Sequence, residues 1–248
     1  MLYRVNGIVI RSFDYGEGNK IITILTNEYG KMSVMVRGAK KVKSRYSAIT
    51  QLFTYGEFVF FKSGSMGNLS AGEIIKPYNK LREDIHKAAY GSYLAELTEK
   101  LLGEQDRAGW VFDQLLAAFD AMEADKDLQI VTHIYEMRLL ALAGYEPDMS
   151  QCVSCGAESK EMSLSAAMGG ALCPRCRHLD PQAIPLAESV VRLIRLFQRM
   201  DIARLGQIDL ADSTRSLLKT AIRRLYDTHI DVKWKSRQFL DQMEKYGI

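Results

Sequence analysis

The chain has 248 residues, 47% of them hydrophobic and 25% charged, with 33 Lys and Arg against 30 Asp and Glu. That profile excludes disordered and fibrous classes and allows one large domain or two to three small ones. The net charge of +3 conceals a partition. Residues 1–80 carry 12 basic and 5 acidic side chains, residues 81–150 carry 6 and 14, residues 151–180 carry 3 of each, and residues 181–248 carry 12 and 8. Opposed fields along one chain point to separate surfaces with separate partners.

Short β-branched or aromatic runs dominate up to residue 76, punctuated by Gly and Asn. They predict five strands, Val5 to Asp14, Lys20 to Asn27, Lys31 to Arg37, Leu52 to Lys62 and Asn68 to Lys76. Gly16-Glu17-Gly18-Asn19 and Tyr29-Gly30 read as turns, and Gly7 as a bulge or sharp bend. A longer link, Gly38 to Gln51, has room for a turn or two of helix. Five strands with the long link after the third match an OB-fold barrel.

The period becomes helical from residue 79. Apolar stripes run through Leu81 to Leu101, Trp110 to Met122 and Ile130 to Ala141, the last ending at a C-cap Gly144. Pro185 precedes a fourth helix, Asp212 or Ser213 can N-cap a fifth, and a short helix spans about Ser236 to Lys245. The expected fold is α+β, with an OB-fold domain at residues 1–79. A mainly helical domain follows at residues 80–248, with a four-cysteine insertion at about 150–180.

All four cysteines lie in that insertion, as Cys152-x2-Cys155 and Cys173-x2-Cys176 separated by 17 residues. The spacing is that of a zinc site, and four thiolates complete a tetrahedral Zn2+ shell with no position left for a reactive water. One structural Zn2+ held by Cys152, Cys155, Cys173 and Cys176 is therefore expected. Gly156 suits the knuckle turn because it accepts positive φ. His178 is a possible substitute ligand, although a surface histidine is the simpler reading. Deaminase, metalloprotease, P-loop, dinucleotide-binding and nucleophile-elbow motifs are all absent, so no enzyme is expected. His133 reads as a packed or hydrogen-bonded helix residue.

The second signal is basic. Lys31, Arg37, Lys40, Lys41, Lys43 and Arg45 occur with no carboxylate between Glu28 and Glu57. On an OB-fold this region adjoins the oligonucleotide face, where cations track phosphates and Tyr46, or Phe13 and Tyr15, offer rings for base stacking. Phosphate contacts carry no sequence information, so the binding should be sequence-tolerant. A solvated loop whose lysines only aid solubility is the bland alternative. Arginines on the C-terminal helices, such as Arg192, Arg195 and Arg199, occupy polar positions; they form a solvated face or a seat for an acidic, apolar-ended peptide.

Gly7-Ile8-Val9-Ile10-Arg11 with Asp14-Tyr15-Gly16-Glu17, then Leu25-Thr26, Tyr29-Gly30-Lys31 and Val36-Arg37-Gly38-Ala39-Lys40-Lys41 with Ser44, are joined by the four-cysteine segment in a helical second half. In this order the chain resembles the RecO family of bacterial DNA repair and recombination mediators over essentially its full length. The resemblance implies an N-terminal OB-fold, a helical C-terminal domain and a zinc segment that some members carry. It further implies binding of single- and double-stranded DNA and annealing of complementary strands. With RecR, such a protein loads RecA onto DNA coated by single-stranded DNA-binding protein (SSB), whose acidic C-terminal tail docks on the helical domain. The place of work is then the cytoplasm, at the nucleoid, and no membrane partner is expected: no apolar run approaches the ~18 residues of a bilayer span. The alternative is a zinc-containing, sequence-specific DNA-binding regulator. It is disfavoured because residues 156–172 hold one Lys, no Arg and two acids, a poor match to a DNA groove.

Overall fold

The structure, a computed structural model, describes residues 1–103, 106 and 109–247. Its N-terminal strands are β1 (Leu2–Tyr15), β2 (Asn19–Thr26), β3 (Gly30–Val36), β4 (Tyr55–Ser63) and β5 (Met66–Lys76). They close into a barrel in the order β1-β2-β3-β5-β4, with β4 returning to β1. Every pairing is antiparallel except β3 with β5, which run parallel over Ser33–Met35 and Met66–Asn68. This is the expected OB-fold. Strict alternation on β3 sends Met32, Val34 and Val36 inward, where they join Val5, Val9, Ile22, Ile24, Phe58 and Phe60 in one core.

Three local expectations need correction. Gly7 pairs in register with Thr26 and Gly56, and the slip falls instead between Val9 and Arg11. What the glycine provides is closeness, since a Cβ there would lie 3.3 Å from both the Ile24 Cβ and the Leu25 carbonyl oxygen. The fourth strand starts at Tyr55, because Phe53 takes a left-handed φ of 71° and buries its ring edge-on to Phe119 at 5.2 Å. The link from Gly38 to Gln51 contains no α-helix. It is a run of four-residue turns, with amides of Lys41, Ser44, Ser47 and Gln51 bonded to carbonyls of Gly38, Lys41, Ser44 and Ala48. Ala39 and Ile49 anchor it in the barrel core, and Tyr46 packs against that core.

The helices are α1 (Asn79–Glu83), α2 (Ile85–Leu101), α3 (Gly109–Glu123), α4 (Leu128–Leu142), α5 (Glu188–Arg199), α6 (Asp212–His229) and α7 (Lys235–Tyr246). The first predicted stripe is broken at Asp84, which adopts an extended backbone and accepts the His86 and Lys87 amides to cap α2. Two compact units result. The first comprises the described residues of Met1–Leu128 and Trp234–Ile248, and the second Gln129–Lys233.

In the first unit, α2 packs on β1 and α7, and α3 packs on β2 and α1. Gly7 to Ile10 are therefore buried in sequence, on both faces of β1. Helix α7 has no side-chain cap from Trp234, the residue before it. The Glu96 carboxylate of α2 serves instead, accepting the Lys235 and Ser236 amides at 3.0 and 2.8 Å.

In the second unit, α4 is buried without interruption from Ile130 to Met137. It ends as expected at Gly144, whose φ of 84° lets Tyr145 N–H reach the Leu140 carbonyl. A small antiparallel sheet, β7-β6-β8, was not anticipated; its strands are β6 (Met162–Ser165), β7 (Gly170–Leu172) and β8 (Ile184–Leu186). Pro185 lies inside β8 and precedes α5, as expected. Asp212 and Ser213 both sit within α6, and neither side chain caps it; Ala211 occupies the cap position.

Candidate metal centre and nucleic-acid interface

The small sheet presents both cysteine pairs. Val153 N–H bonds the Ala171 carbonyl at 2.9 Å, tying the first pair to β7, and the second pair follows β7 directly. Each pair forms a tight turn, with Gly156 N–H on the Cys152 carbonyl at 2.8 Å and Cys176 N–H on the Cys173 carbonyl at 3.0 Å. Gly156 has the positive φ, 71°, that its place after the first pair predicts. The four sulfurs lie within 4.8 Å of one another, and Cys155 Sγ is 3.7 Å from Cys173 Sγ. A tetrahedron built on Zn–S bonds of ~2.3 Å has edges of about 3.8 Å, so the arrangement fits such an ion.

Burial opposes ionisation of Cys152, yet amides of Cys173, Cys155 and Ser154 directed at its sulfur outweigh that and hold the thiol down to about 6. Cys176 goes the other way. A hydrogen bond with Ser154 favours its thiolate, but the Cys155 and Cys173 sulfurs push it up to about 11. Four thiols this close can hold a cation among them as thiolates, which is the chemistry of a thiolate metal site. Cys152 and Cys173 are buried, Cys176 is half-buried and Cys155 is exposed. His178 stands apart from this group, exposed, its Nδ1 2.7 Å from the Arg175 carbonyl oxygen. His133 is buried, with Nδ1 2.8 Å from the Glu136 carboxylate.

The structure sorts the basic residues into two sets. Lys31 is half-buried on β3 and its ammonium lies 2.5 Å from the Glu99 carbonyl oxygen of α2, away from the loop. Lys40 pairs with Asp14 at 2.7 Å, and Lys20 reaches the same carboxylate at 3.3 Å. Hydrogen bonds from Lys40 and then Lys20 hold the Asp14 carboxyl below its usual range. The Arg45 guanidinium lies 4.7 Å over the Tyr46 ring, whose hydroxyl donates to the Ser70 carbonyl at 2.7 Å. Arg37, Lys41 and Lys43 are exposed and, among the described residues, form no ion pair. Phe13 and Tyr15 are also exposed at the end of β1, and Arg11 lies 5.1 Å over the Phe13 ring. Sequence reasoning missed Asp14 as a counter-ion. Its signal was available, because the first hairpin pairs Asp14 with Lys20 across the strands.

Comparison with known proteins covers nearly the whole chain. The family model described as "Recombination protein O N terminal" matches residues 1–78, and "Recombination protein O C terminal" matches residues 82–238. Proteins named DNA repair protein RecO are 42% identical in Halalkalibacterium halodurans, covering 100% of this chain and 98% of the relative, and 40% identical in Bacillus mycoides, covering 100% of both. The Bacillus subtilis protein of that name is 39% identical over 98% of this chain and 96% of its own. An OB-fold barrel, a helical remainder with a four-thiol cluster and full-length similarity agree, and the chain belongs to the RecO family of DNA repair proteins.

Proposed function

We propose that the chain is a non-enzymatic recombination mediator that holds DNA strands on the basic loop after β3 and pairs them. The observation that carries this reading is the loop itself. Arg37, Lys41 and Lys43 project free cations from a segment whose Ala39 and Ile49 are fixed in the barrel core. An anchored cationic loop tracks a phosphate backbone without selecting sequence, and it lowers the repulsion between two strands held together. Arg45, stacked on Tyr46, adds a planar face against which a base can lie. Single- and double-stranded DNA are both ligands in this reading, because neither the charge nor the ring demands a duplex. Strand holding is assigned to residues 1–79, and partner recruitment, with RecR and the SSB tail as partners, to residues 80–248.

One Zn2+ on Cys152, Cys155, Cys173 and Cys176 braces the second unit in this proposal, and its role is structural because every coordination position is taken by sulfur. Acting in the cytoplasm at the nucleoid, the protein then helps RecR load RecA onto SSB-coated strands. The experiment is annealing of complementary strands pre-coated with SSB, with and without the protein. Acceleration is expected. Annealing no faster than without it, or acceleration on one sequence alone, overturns the reading.

A further inference from the structure

The four sulfurs are not equivalent. Cys152 and Cys173 are buried and Cys176 is half-buried, whereas Cys155 is exposed to solvent. The Cys152 sulfur is also engaged by amides of its own turn, from Ser154 and Cys155. Any reagent arriving from water therefore meets Cys155 first. All four sulfurs lie within 4.8 Å of one another, and Cys155 Sγ is at hydrogen-bonding distance, 3.7 Å, from the sulfur of Cys173 on the other pair, 18 residues along the chain. A shift of less than 2 Å between them would bring these sulfurs to the ~2.05 Å of a disulfide.

We propose that Cys155 is an oxidation site and Cys173 its resolving thiol, so that a hydroperoxide converts the centre into a Cys155–Cys173 disulfide and expels the metal. This rests on the zinc reading above. In the first step the Cys155 thiolate attacks the peroxide, an S–O bond forms as the O–O bond breaks, and hydroxide or alkoxide leaves. In the second the Cys173 thiolate attacks the sulfenic sulfur, an S–S bond forms, and hydroxide leaves. Two electrons pass from the two thiolates to one peroxide. Cys152 and Cys176 remain, and two thiolates do not complete the four-coordinate shell that holds a structural Zn2+. The disulfide joins the same two turns that the metal joined, and the backbone bonds from Val153 to Ala171 and through the β7-β6-β8 sheet do not involve sulfur. The change is therefore reversible by thiols and zinc. The barrel lies in the other compact unit, so DNA held on its loop stays bound.

The test uses the full zinc-loaded chain treated with hydrogen peroxide. A chromogenic chelator reads zinc release, and tandem mass spectrometry maps disulfides after free thiols are alkylated. Trypsin cleaves after Arg175 and so separates Cys173 from Cys176. The expected result is complete loss of the one zinc, a Cys155–Cys173 cross-link, alkylated Cys152 and Cys176, and recovery with dithiothreitol plus zinc. DNA affinity should not change. A disulfide within either pair, Cys155 sulfinic acid with no disulfide, or zinc retained under excess peroxide overturns the proposal. If the untreated chain binds no zinc, the zinc reading fails by itself, and the same map on the metal-free chain still decides which thiols pair.

Discussion

Asp14 sets how many cations the basic loop can offer. It holds Lys40 at 2.7 Å and Lys20 at 3.3 Å, so only Arg37, Lys41 and Lys43 are free without cost. Three contacts to a single strand give a slope of log K against log salt of about −2, at ~0.7 per contact. Replacing those three residues with Ala should remove most of that slope and weaken single-strand binding at least tenfold at low salt, as fluorescence anisotropy across a salt series would read. Asp14→Asn should do the opposite, tightening binding several-fold and steepening the slope by about 0.7 for each lysine released. Lys31→Ala should leave the slope unchanged and cost stability, because its partner is the Glu99 carbonyl. The gathering of the four cysteines was legible from spacing, since each pair is positioned by its own turn. The allegiance of Lys31 was not, because it depends on a helix 68 residues away.

Elements differ in the same way. The barrel strands were legible from their β-branched and aromatic runs and the Gly or Asn turns between them, and β3 and β4 also bury alternate residues. The β7-β6-β8 sheet was not, because its strands of three to four residues are too short to show alternation and are buried throughout β6 and β7. With zinc on the four cysteines as proposed, a sheet this small depends on the ion, and removing it with a chelator should lower the unfolding temperature of the second unit by several degrees, measured by calorimetry. The cap on α7 was illegible for another reason: its donor and acceptor are about 140 residues apart. Glu96 loses solvation on burial, but Lys100 and the Ser236 and Lys235 amides prevail and hold its carboxyl below the usual value. A carboxylate depressed in the folded state stabilises fully above its unfolded pKa, and that contribution is lost as pH falls through the lowered value. Glu96→Gln should therefore cost about 1 kcal/mol at neutral pH. The gap from wild type should close on acidification through that range, as urea titrations at a series of pH values would record.

For the chain as a whole, the acidic stretch at 81–150 finds part of its balance at home. Within the first unit Glu99 pairs with Arg11 at 2.8 Å, Asp120 with Lys76 at 2.5 Å, and Glu96 with Lys100 at 2.9 Å, while Asp125 pairs with Lys87. Two of these pairs join a helix to the basic barrel segment, so the alternation of charge in sequence becomes attraction between neighbouring elements. Each pair keeps at least one side chain in contact with solvent, where water and salt screen the attraction, so each contributes little to stability. Raising salt should thus weaken DNA binding far more than it lowers stability, which parallel titrations of the two properties would show.

The first unit is completed by α7, which the chain delivers only after the second unit, roughly a hundred residues later. At about 5–20 residues per second a ribosome needs on the order of 5–20 s to cross that interval. Through that interval the α2 surface that α7 covers stays bare, and Tyr93 lacks the Trp234 ring that meets it edge-on at 6.5 Å. Nascent chains arrested before Trp234 should accordingly be cut by protease within α2 faster than released chains. The waiting time makes this domain a customer for whatever shields apolar surface at the exit tunnel.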